Sequence, residues 1–141
     1  CALPILWAPL TASWGLENRT CSVRVIKGKP ASTRLEYRQT AADMNPYLSM
    51  ASCLAAGLHG IEQGLEPPPA ATGDASIASE AYPALPADLA SAVERLDQGE
   101  LGRSLLGEPF IDHYLRTRRW ELKQYARAVT NWELERYFEG I

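Results

Sequence analysis

The pair Asn45–Pro46 divides the chain into two parts with different hydrophobic periodicity. Asparagine accepts hydrogen bonds from the free N–H groups at the start of a helix, and proline at the first helical position removes no donor that the helix needs. After the pair, apolar residues recur at steps of three and four up to Gly64, which suits a C-cap. The pattern predicts a long helix over about 45–64, of a length that suits packing across a sheet.

Before the pair, apolar and polar side chains alternate between turn-forming residues, a pattern typical of strands. We predict strands near Leu10–Trp14, Cys21–Ile26 and Thr33–Arg38, each with an apolar face and a polar face. The expected fold class is therefore α+β, with antiparallel strands in the N-terminal third, over about residues 10–38, followed by packed helices.

The rest of the chain reads as a loop and then as helices. Residues 66–84 are rich in Pro, Ala, Gly and Ser and include three consecutive prolines, so they predict an exposed loop. A connector is expected at 99–107, and Thr130 with Glu133 forms a capping box that opens the last helix. These further helices are predicted over about 86–97, 109–128 and 131–139.

A chain of 141 residues and 15.5 kDa is the size of one modest domain or of part of a larger one. Its residues are 46% hydrophobic and 22% charged, which is typical of a packed, soluble chain. The net charge of −3 gives no reason to expect a nucleic-acid partner, and no uncharged apolar run is long enough to span a bilayer. Because Cys1, Cys21 and Cys53 form neither a disulfide framework nor a metal motif, a reducing, cytoplasmic setting is expected.

Four arginines surround a single acid, Glu36, in the region of the last two predicted strands: Arg19, Arg24, Arg34 and Arg38. The guanidinium group binds phosphate and carboxylate oxygens at two points and stays charged at any working pH. A carboxylate beside such arginines could also give an oxygen ligand to a phosphate-bound Mg²⁺. One interpretation is therefore a phosphate or carboxylate site. The other is the solvated side of a half-exposed strand, on which Glu36 makes ordinary cross-strand ion pairs.

Other candidate sites have weaker support. His59 and His113 each fall on a predicted helix, where a polar face explains them without a metal. The sequence contains no G-x-S-x-G turn, Walker A loop or G-x-G-x-x-G loop. The arginine set is therefore the candidate that carries the most chemistry.

Three segments carry motifs of a known family. Trp14–Val25 reads W-G-L-E-N-R-T-C-S-V-R-V, Arg34–Leu48 reads R-L-E-Y-R-Q-T-A-A-D-M-N-P-Y-L, and Ala51–Glu62 reads A-S-C-L-A-A-G-L-H-G-I-E. With these motifs the chain resembles the glutamine synthetase family over nearly its whole length. The resemblance implies that residues 1–141 are the C-terminal part of a catalytic domain, which would account for a first residue other than methionine.

The resemblance implies a role for each member of the arginine set. Arg19 would contact the transferred phosphoryl group, and Arg38 would bind the acyl-phosphate oxygens. Arg24 would bind the phosphates of ATP, and Arg34 would lie beside the nucleotide. Glu36 would be a ligand of the Mg²⁺ or Mn²⁺ that bridges ATP to the γ-carboxylate of glutamate. In the implied ligase reaction of nitrogen metabolism, this carboxylate is phosphorylated and an amine then displaces phosphate to form an amide.

Departures from the family pattern bear on the substrates. In ammonia-using members a glutamate precedes the Ala-Pro pair, whereas here Trp7 precedes Ala8–Pro9. This feature and the V-T-N-W-E-L-E-R-Y ending at Val129–Tyr137 resemble ligases that join glutamate to larger amines such as polyamines. The arginine that the family uses for the α-carboxylate of glutamate would fall at about Cys1, and Tyr82 lies in the wrong local motif for the tyrosine that some members adenylylate.

The resemblance also implies an oligomer. Family members form rings with active sites between subunits, so the intact protein is expected to be a homo-oligomer that uses glutamate and an amine, without a nucleic-acid or membrane partner. The 141 residues alone are expected to be inactive and poorly soluble, because sheet edges and apolar faces would be left uncovered. The alternative is a non-catalytic, glutamine synthetase-like structural or binding protein.

Overall fold

A computed structural model of the chain describes residues 9–41, 43–76 and 81–138. The chain divides into two compact units, Cys1–Ala87 and Asp88–Ile141. The described part of the first unit contains three strands and one helix: β1 (Trp14–Leu16), β2 (Val23–Ile26), β3 (Arg34–Tyr37) and α1 (Pro46–Glu62). The described part of the second contains four helices: α2 (Leu89–Gln98), α3 (Glu100–Leu106), α4 (Glu108–Tyr125) and α5 (Asn131–Tyr137). The α+β class predicted from the sequence is confirmed.

The sheet has the order β1-β2-β3 and is mixed rather than wholly antiparallel. The antiparallel prediction is right for β2 and β3 and wrong for β1 and β2, which run parallel with Trp14 opposite Val23. Parallel neighbours usually need a connection of a dozen or more residues. Here residues 17–22 suffice because β1 is only three residues long. The predicted first strand also lies too early, since Thr11 forms only an isolated bridge, to Ala84.

Helix α1 begins and ends close to the predicted positions. The Asn45 side chain accepts hydrogen bonds from the N–H groups of Tyr47 and Leu48, and Gly64 beyond the helix has a φ of +60°. Within the described part of its own unit, however, α1 packs against no strand, contrary to the expected packing across a sheet. Its apolar stripe is therefore exposed: Tyr47, Met50, Leu54, Leu58, Ile61 and, just beyond the helix, Leu65.

The proline-rich segment, residues 66–76, is mostly exposed, but it is not a free loop. The Ala71 N–H donates to the Trp14 carbonyl (2.8 Å), and the Trp14 indole donates to the Pro68 carbonyl (2.6 Å). Further along, the Tyr82 hydroxyl donates to the Pro69 carbonyl. These bonds hold the segment against β1, an arrangement that composition alone did not indicate.

In the second unit, α2 and α4 pack around a small core of Val93, Ile111 and Leu115. The connector expected at 99–107 is instead mostly helix α3. The sequence did not indicate this helix because glycines usually mark breaks. Gly99 and Gly107 flank the helix, and Gly102 lies inside it. A Cβ at Gly102 would lie 2.9 Å from Leu96 Cδ1, so this glycine permits close packing rather than marking a break.

Helices α4 and α5 begin within one residue of their predicted starts, whereas α2 begins at Leu89, three residues after the predicted start at 86. Proline at the first turn opens α4, and the Thr130–Glu133 capping box opens α5 with both reciprocal hydrogen bonds present. Arg103 of α3 is 2.6 Å from Asp112 of α4 and 3.4 Å from Asp97 of α2, so it links three helices. Within the described residues, no helix has both the length and the hydropathy that a membrane span requires.

Candidate functional site

The centre of the candidate site is the pair Arg24 and Glu36, which are direct partners in the β2–β3 register. Their side chains leave the same face of the sheet, and Arg24 Nη1 lies 3.0 Å from Glu36 Oε2. Arg38 Nη1 lies 2.5 Å from the other carboxylate oxygen, Glu36 Oε1. Glu36 therefore bridges two arginines that the sequence analysis placed in the same site.

A second carboxylate, Glu17, contacts Arg24 from the end of β1. Its Oε2 lies 2.5 Å from Arg24 Nη2, and its Oε1 accepts a hydrogen bond from the Lys27 N–H. Glu17 has a φ of +51°, the one positive φ of a non-glycine residue in the described chain. Its backbone N–H donates to the Val25 carbonyl, which helps hold this unusual conformation.

Sequence reasoning missed Glu17. The acid lies one position before Asn18, where the arginine-rich stretch begins, so counting charges from Asn18 onward passed it over. Its position directly after a short strand and before the N-R pair was the available signal. Nothing local indicated that its side chain would reach across to Arg24, because that contact depends on the parallel pairing of β1 with β2.

The electrostatics of the cluster favour the charged forms of Glu17, Glu36 and Arg24. Hydrogen bonds from Arg24 and then Arg38 lower the pKa of Glu36, and the hydrogen bond from Arg24 lowers the pKa of Glu17. In return, Glu17 and then Glu36 raise the pKa of Arg24. The Arg24 and Arg38 side chains are 16% and 21% exposed, so these pairs lie partly out of water.

The other two predicted arginines lie apart from this network. Arg34 starts β3 on the same face as Glu36, is exposed, and donates to the Ser32 carbonyl (3.3 Å). Its charge contributes to the lowered pKa of Glu17. Arg19 lies in the turn between β1 and β2 and lines a separate open cleft of about 630 Å³. This cleft is lined by Leu16–Thr20 and Ala70–Gly73.

The family resemblance implies nucleotide phosphates and a divalent metal, and the cluster can be tested for both. Arg24 Nε is buried without a hydrogen-bond acceptor among the described residues, which is compatible with an added anion. Glu36 is partly exposed and offers the hard oxygen that Mg²⁺ prefers. Within the described residues, however, no three His, Cys, Asp or Glu side chains form a metal-binding group. The residues present therefore fit a phosphate and one metal ligand, with further ligands needed from elsewhere.

Comparison with known proteins settles the family. Residues 3–137 match the family described as glutamine synthetase, catalytic domain. The chain belongs to the glutamine synthetase family. Within this family it is 43% identical to type-1 glutamine synthetase 2 of Dictyostelium discoideum, over 96% of this chain and 26% of that protein. It is also 43% identical to the gamma-glutamylethanolamide synthetase GlnA4 of Streptomyces coelicolor, over 98% of this chain and 29% of that protein.

A third relative is the glutamate–isopropylamine ligase of a Pseudomonas species, 39% identical over 96% of this chain and 30% of that protein. Among solved structures, a GmaS/ADP complex superposes with a TM-score of 0.78 at 33% identity, covering 94% of this chain and 30% of that one. The chain thus spans less than a third of the length of the relatives it matches. The predicted family and fold class are confirmed.

The individual site assignments remain predictions. The structure brings Arg24, Glu36 and Arg38 together, leaves Arg34 at their side, and places Arg19 at a neighbouring cleft. It also contains a cross-strand ion pair between Arg24 and Glu36, as the interpretation of a solvated strand face expects. The same contacts therefore fit both that interpretation and a phosphate or carboxylate site. Cys1 and Trp7, on which the substrate arguments rest, lie outside the described residues.

Proposed function

We propose that the chain is the C-terminal part of the catalytic domain of an ATP-dependent glutamate–amine ligase. The observation that carries the proposal is the bridged cluster of Arg24, Glu36 and Arg38 on one sheet face of a glutamine synthetase-family chain. Phosphoryl transfer spreads negative charge over several oxygens, and preorganised arginines stabilise that charge. The protein that would carry this chain together with the rest of a catalytic domain is called the parent protein below.

Each residue has a proposed role in this reaction. Arg24 binds the phosphates of ATP, and Arg34 lies beside the nucleotide. Arg19 contacts the transferred phosphoryl group, and Arg38 binds the acyl-phosphate oxygens. Glu36 is one ligand of a Mg²⁺ or Mn²⁺ ion. When bound, that ion would neutralise charge on the phosphates, and the chain's own contribution is to orient the arginines around them.

The proposed acceptor is an amine larger than ammonia. Two relatives, GlnA4 and the Pseudomonas ligase, are named for ethanolamide and isopropylamine products or substrates, and both match over nearly the whole of this chain. Trp7 replaces the glutamate that helps deprotonate ammonium in ammonia-using members. A polyamine is one candidate within this class of amines.

The parent protein is proposed to be a cytoplasmic ring-shaped homo-oligomer. The 141 residues alone are proposed to be inactive, because relatives are more than three times as long as the match.

A second candidate function is a non-catalytic structural or binding protein of the family. One observation favours it: both carboxylate oxygens of Glu36 are already occupied by arginines, so this carboxylate is satisfied without a ligand. Against it, two part-buried arginines are a costly way to stabilise a sheet, because isolated ion pairs contribute little.

The deciding experiment measures glutamate-dependent ATP hydrolysis by the parent protein with ammonium, putrescine, spermine, ethanolamine and isopropylamine. The ligase proposal expects hydrolysis that requires both glutamate and one amine. Stimulation by ammonium alone would refute the larger amine. A folded parent protein that hydrolyses no ATP with any of these amines would favour the non-catalytic candidate.

A further inference from the structure

Arg19 projects from a turn that its two neighbours close. Asn18 Oδ1 accepts hydrogen bonds from the Thr20 N–H (3.0 Å) and from the Thr20 hydroxyl (2.6 Å). Such side-chain-to-backbone bonds restrict the backbone of the residue between them. The Arg19 side chain itself is exposed and makes no hydrogen bond or ion pair with the described residues. Its location therefore depends on the backbone of this turn.

The same two neighbours tie the turn to the proline-rich segment. Asn18 Nδ2 donates to the Gly73 carbonyl (2.8 Å), and the Thr20 hydroxyl oxygen accepts from the Ala75 N–H (2.8 Å). Thr20 thus donates to Asn18 and accepts from Ala75 with one hydroxyl group. Asn18 likewise donates with its side-chain amide nitrogen and accepts with its side-chain amide oxygen.

The close fit between β1 and the proline-rich segment supports these bonds. A Cβ on Gly15 would lie 2.9 Å from Asn18 Cβ and 3.0 Å from the Ala71 carbonyl oxygen. The segment therefore lies close against the strand that leads into the turn, and its residues Ala70–Gly73 line the same cleft as Arg19.

We propose that Asn18 and Thr20 are positioning residues that hold Arg19 at this cleft, with the proline-rich segment as the fixed support. The consequence for catalysis rests on the proposed function, in which Arg19 contacts the transferred phosphoryl group. Displacing such a group by about 1 Å lowers turnover by up to about 100-fold. The hydrogen-bonded side chains of Asn18 and Thr20 thus determine the position of Arg19, whose own long side chain makes no hydrogen bond with the described residues.

The test compares variants at Thr20 in the parent protein. Thr20→Val keeps the branched shape and removes the hydroxyl, so kcat should fall about 10- to 100-fold while KM for ATP changes less than about twofold. Thr20→Ser keeps the hydroxyl and should restore kcat to within about threefold of the wild type. If Thr20→Val does not fold, Thr20→Ala removes the same hydroxyl without the second methyl group.

Trp14→Phe is the matched control. It removes one hydrogen bond between β1 and the proline-rich segment, that to Pro68, without touching the Arg19 turn, and kcat should stay within about twofold. Equal loss in Trp14→Phe and Thr20→Val would assign the effect to general stability of the segment and overturn the proposal. A Thr20→Ser variant as impaired as Thr20→Val would also overturn it.

A second readout separates this inference from the ligase proposal. The ¹⁵N order parameter of the Arg19 amide should be about 0.85 in the wild type and below about 0.6 in Thr20→Val. If the parent protein has no ligase activity but the order parameter falls, the positioning role stands and the ligase proposal fails. An unchanged order parameter in Thr20→Val overturns the positioning role whatever the activity.

Discussion

At the scale of residues, Arg24 is held between two carboxylates, one directly after β1 and one inside β3. Glu17 and Glu36 occupy its two terminal nitrogens, which fixes the plane of the guanidinium group. An arginine fixed in this way is ready to meet a phosphate without losing much side-chain freedom on binding. The sequence indicated Glu36 as a partner of the arginines but did not indicate Glu17.

The lowered pKa values of Glu17 and Glu36 predict a stability that depends on pH. A carboxyl group whose folded pKa is lowered stabilises the fold above its unfolded pKa of about 4.3, and this contribution is lost as the pH falls through the folded value. We therefore expect Glu36→Gln to lose less stability than the wild-type chain between pH 6 and pH 3, measured by urea unfolding. Glu135→Gln, on an exposed position of α5, is the control and should follow the wild type. Parallel loss in all three proteins would contradict the prediction.

Glu36 should also be essential for activity if it is a metal ligand. We expect Glu36→Ala to abolish glutamate- and amine-dependent ATP hydrolysis by the parent protein while the variant stays folded, with a lower melting temperature because the part-buried Arg24 and Arg38 lose their shared carboxylate. Glu135→Ala should leave turnover unchanged. Full activity of Glu36→Ala would remove this residue from the metal site.

At the scale of elements, local signals succeeded where an element is specified by its own residues. The Asn45 cap, the Pro109 helix start and the capping box at Thr130 were all predictable, because each depends on side chains within one helical turn. Helix α3 was missed because its glycines read as breaks. One of them instead makes room for Leu96, a contact that only packing reveals.

The close packing around Gly15 in β1 and the open surroundings of Gly57 in α1 predict different effects of substitution by alanine. Gly15→Ala would place a Cβ 2.9 Å from Asn18 Cβ and Cys21 Sγ, so we expect a loss of about 1–3 kcal/mol in the free energy of unfolding. Gly57→Ala on α1 meets no atom within 4 Å and should be neutral or stabilising by about 0.5–1 kcal/mol. Chemical denaturation of the two variants measures both values, and a neutral Gly15→Ala would contradict the close fit.

At the scale of the whole molecule, the described structure buries few large apolar side chains. In the first unit the stripe of α1 faces solvent, with Tyr47, Leu54 and Ile61 at 78%, 68% and 79% exposure. Contiguous apolar surface of this kind favours association with other surfaces. The chain spans less than a third of its relatives' length, and under the proposed function the surfaces that cover this stripe would lie in the rest of the catalytic domain.

The exposed stripe predicts that the isolated 141-residue chain associates with itself. We expect sedimentation velocity to show species larger than a monomer at micromolar concentration, because an exposed apolar stripe of this kind favours association between molecules. Leu54→Glu together with Leu58→Glu should shift the chain towards the monomer. Ser52→Glu, an exposed polar position on the same helix, should not. A monodisperse wild-type monomer with a cooperative melting transition would contradict both this prediction and the proposed incompleteness of the chain.

The sequence by itself determined the features that depend on neighbours along the chain. These are the α1 boundaries, the last helix cap, the shared face of Arg34 and Glu36, and the motifs that indicate the family. Periodicity and capping act over a few residues, so they can be read without coordinates.

Only the tertiary structure decided which distant groups meet. The parallel pairing of β1 with β2 brings Glu17 to Arg24, and hydrogen bonds between the Arg19 turn and the proline-rich segment join residues 55 positions apart. Such contacts depend on how loops close and strands pair, and no local pattern encodes that choice. The arginines could therefore be predicted one by one, whereas their division between an ion-pair cluster and a separate cleft could not.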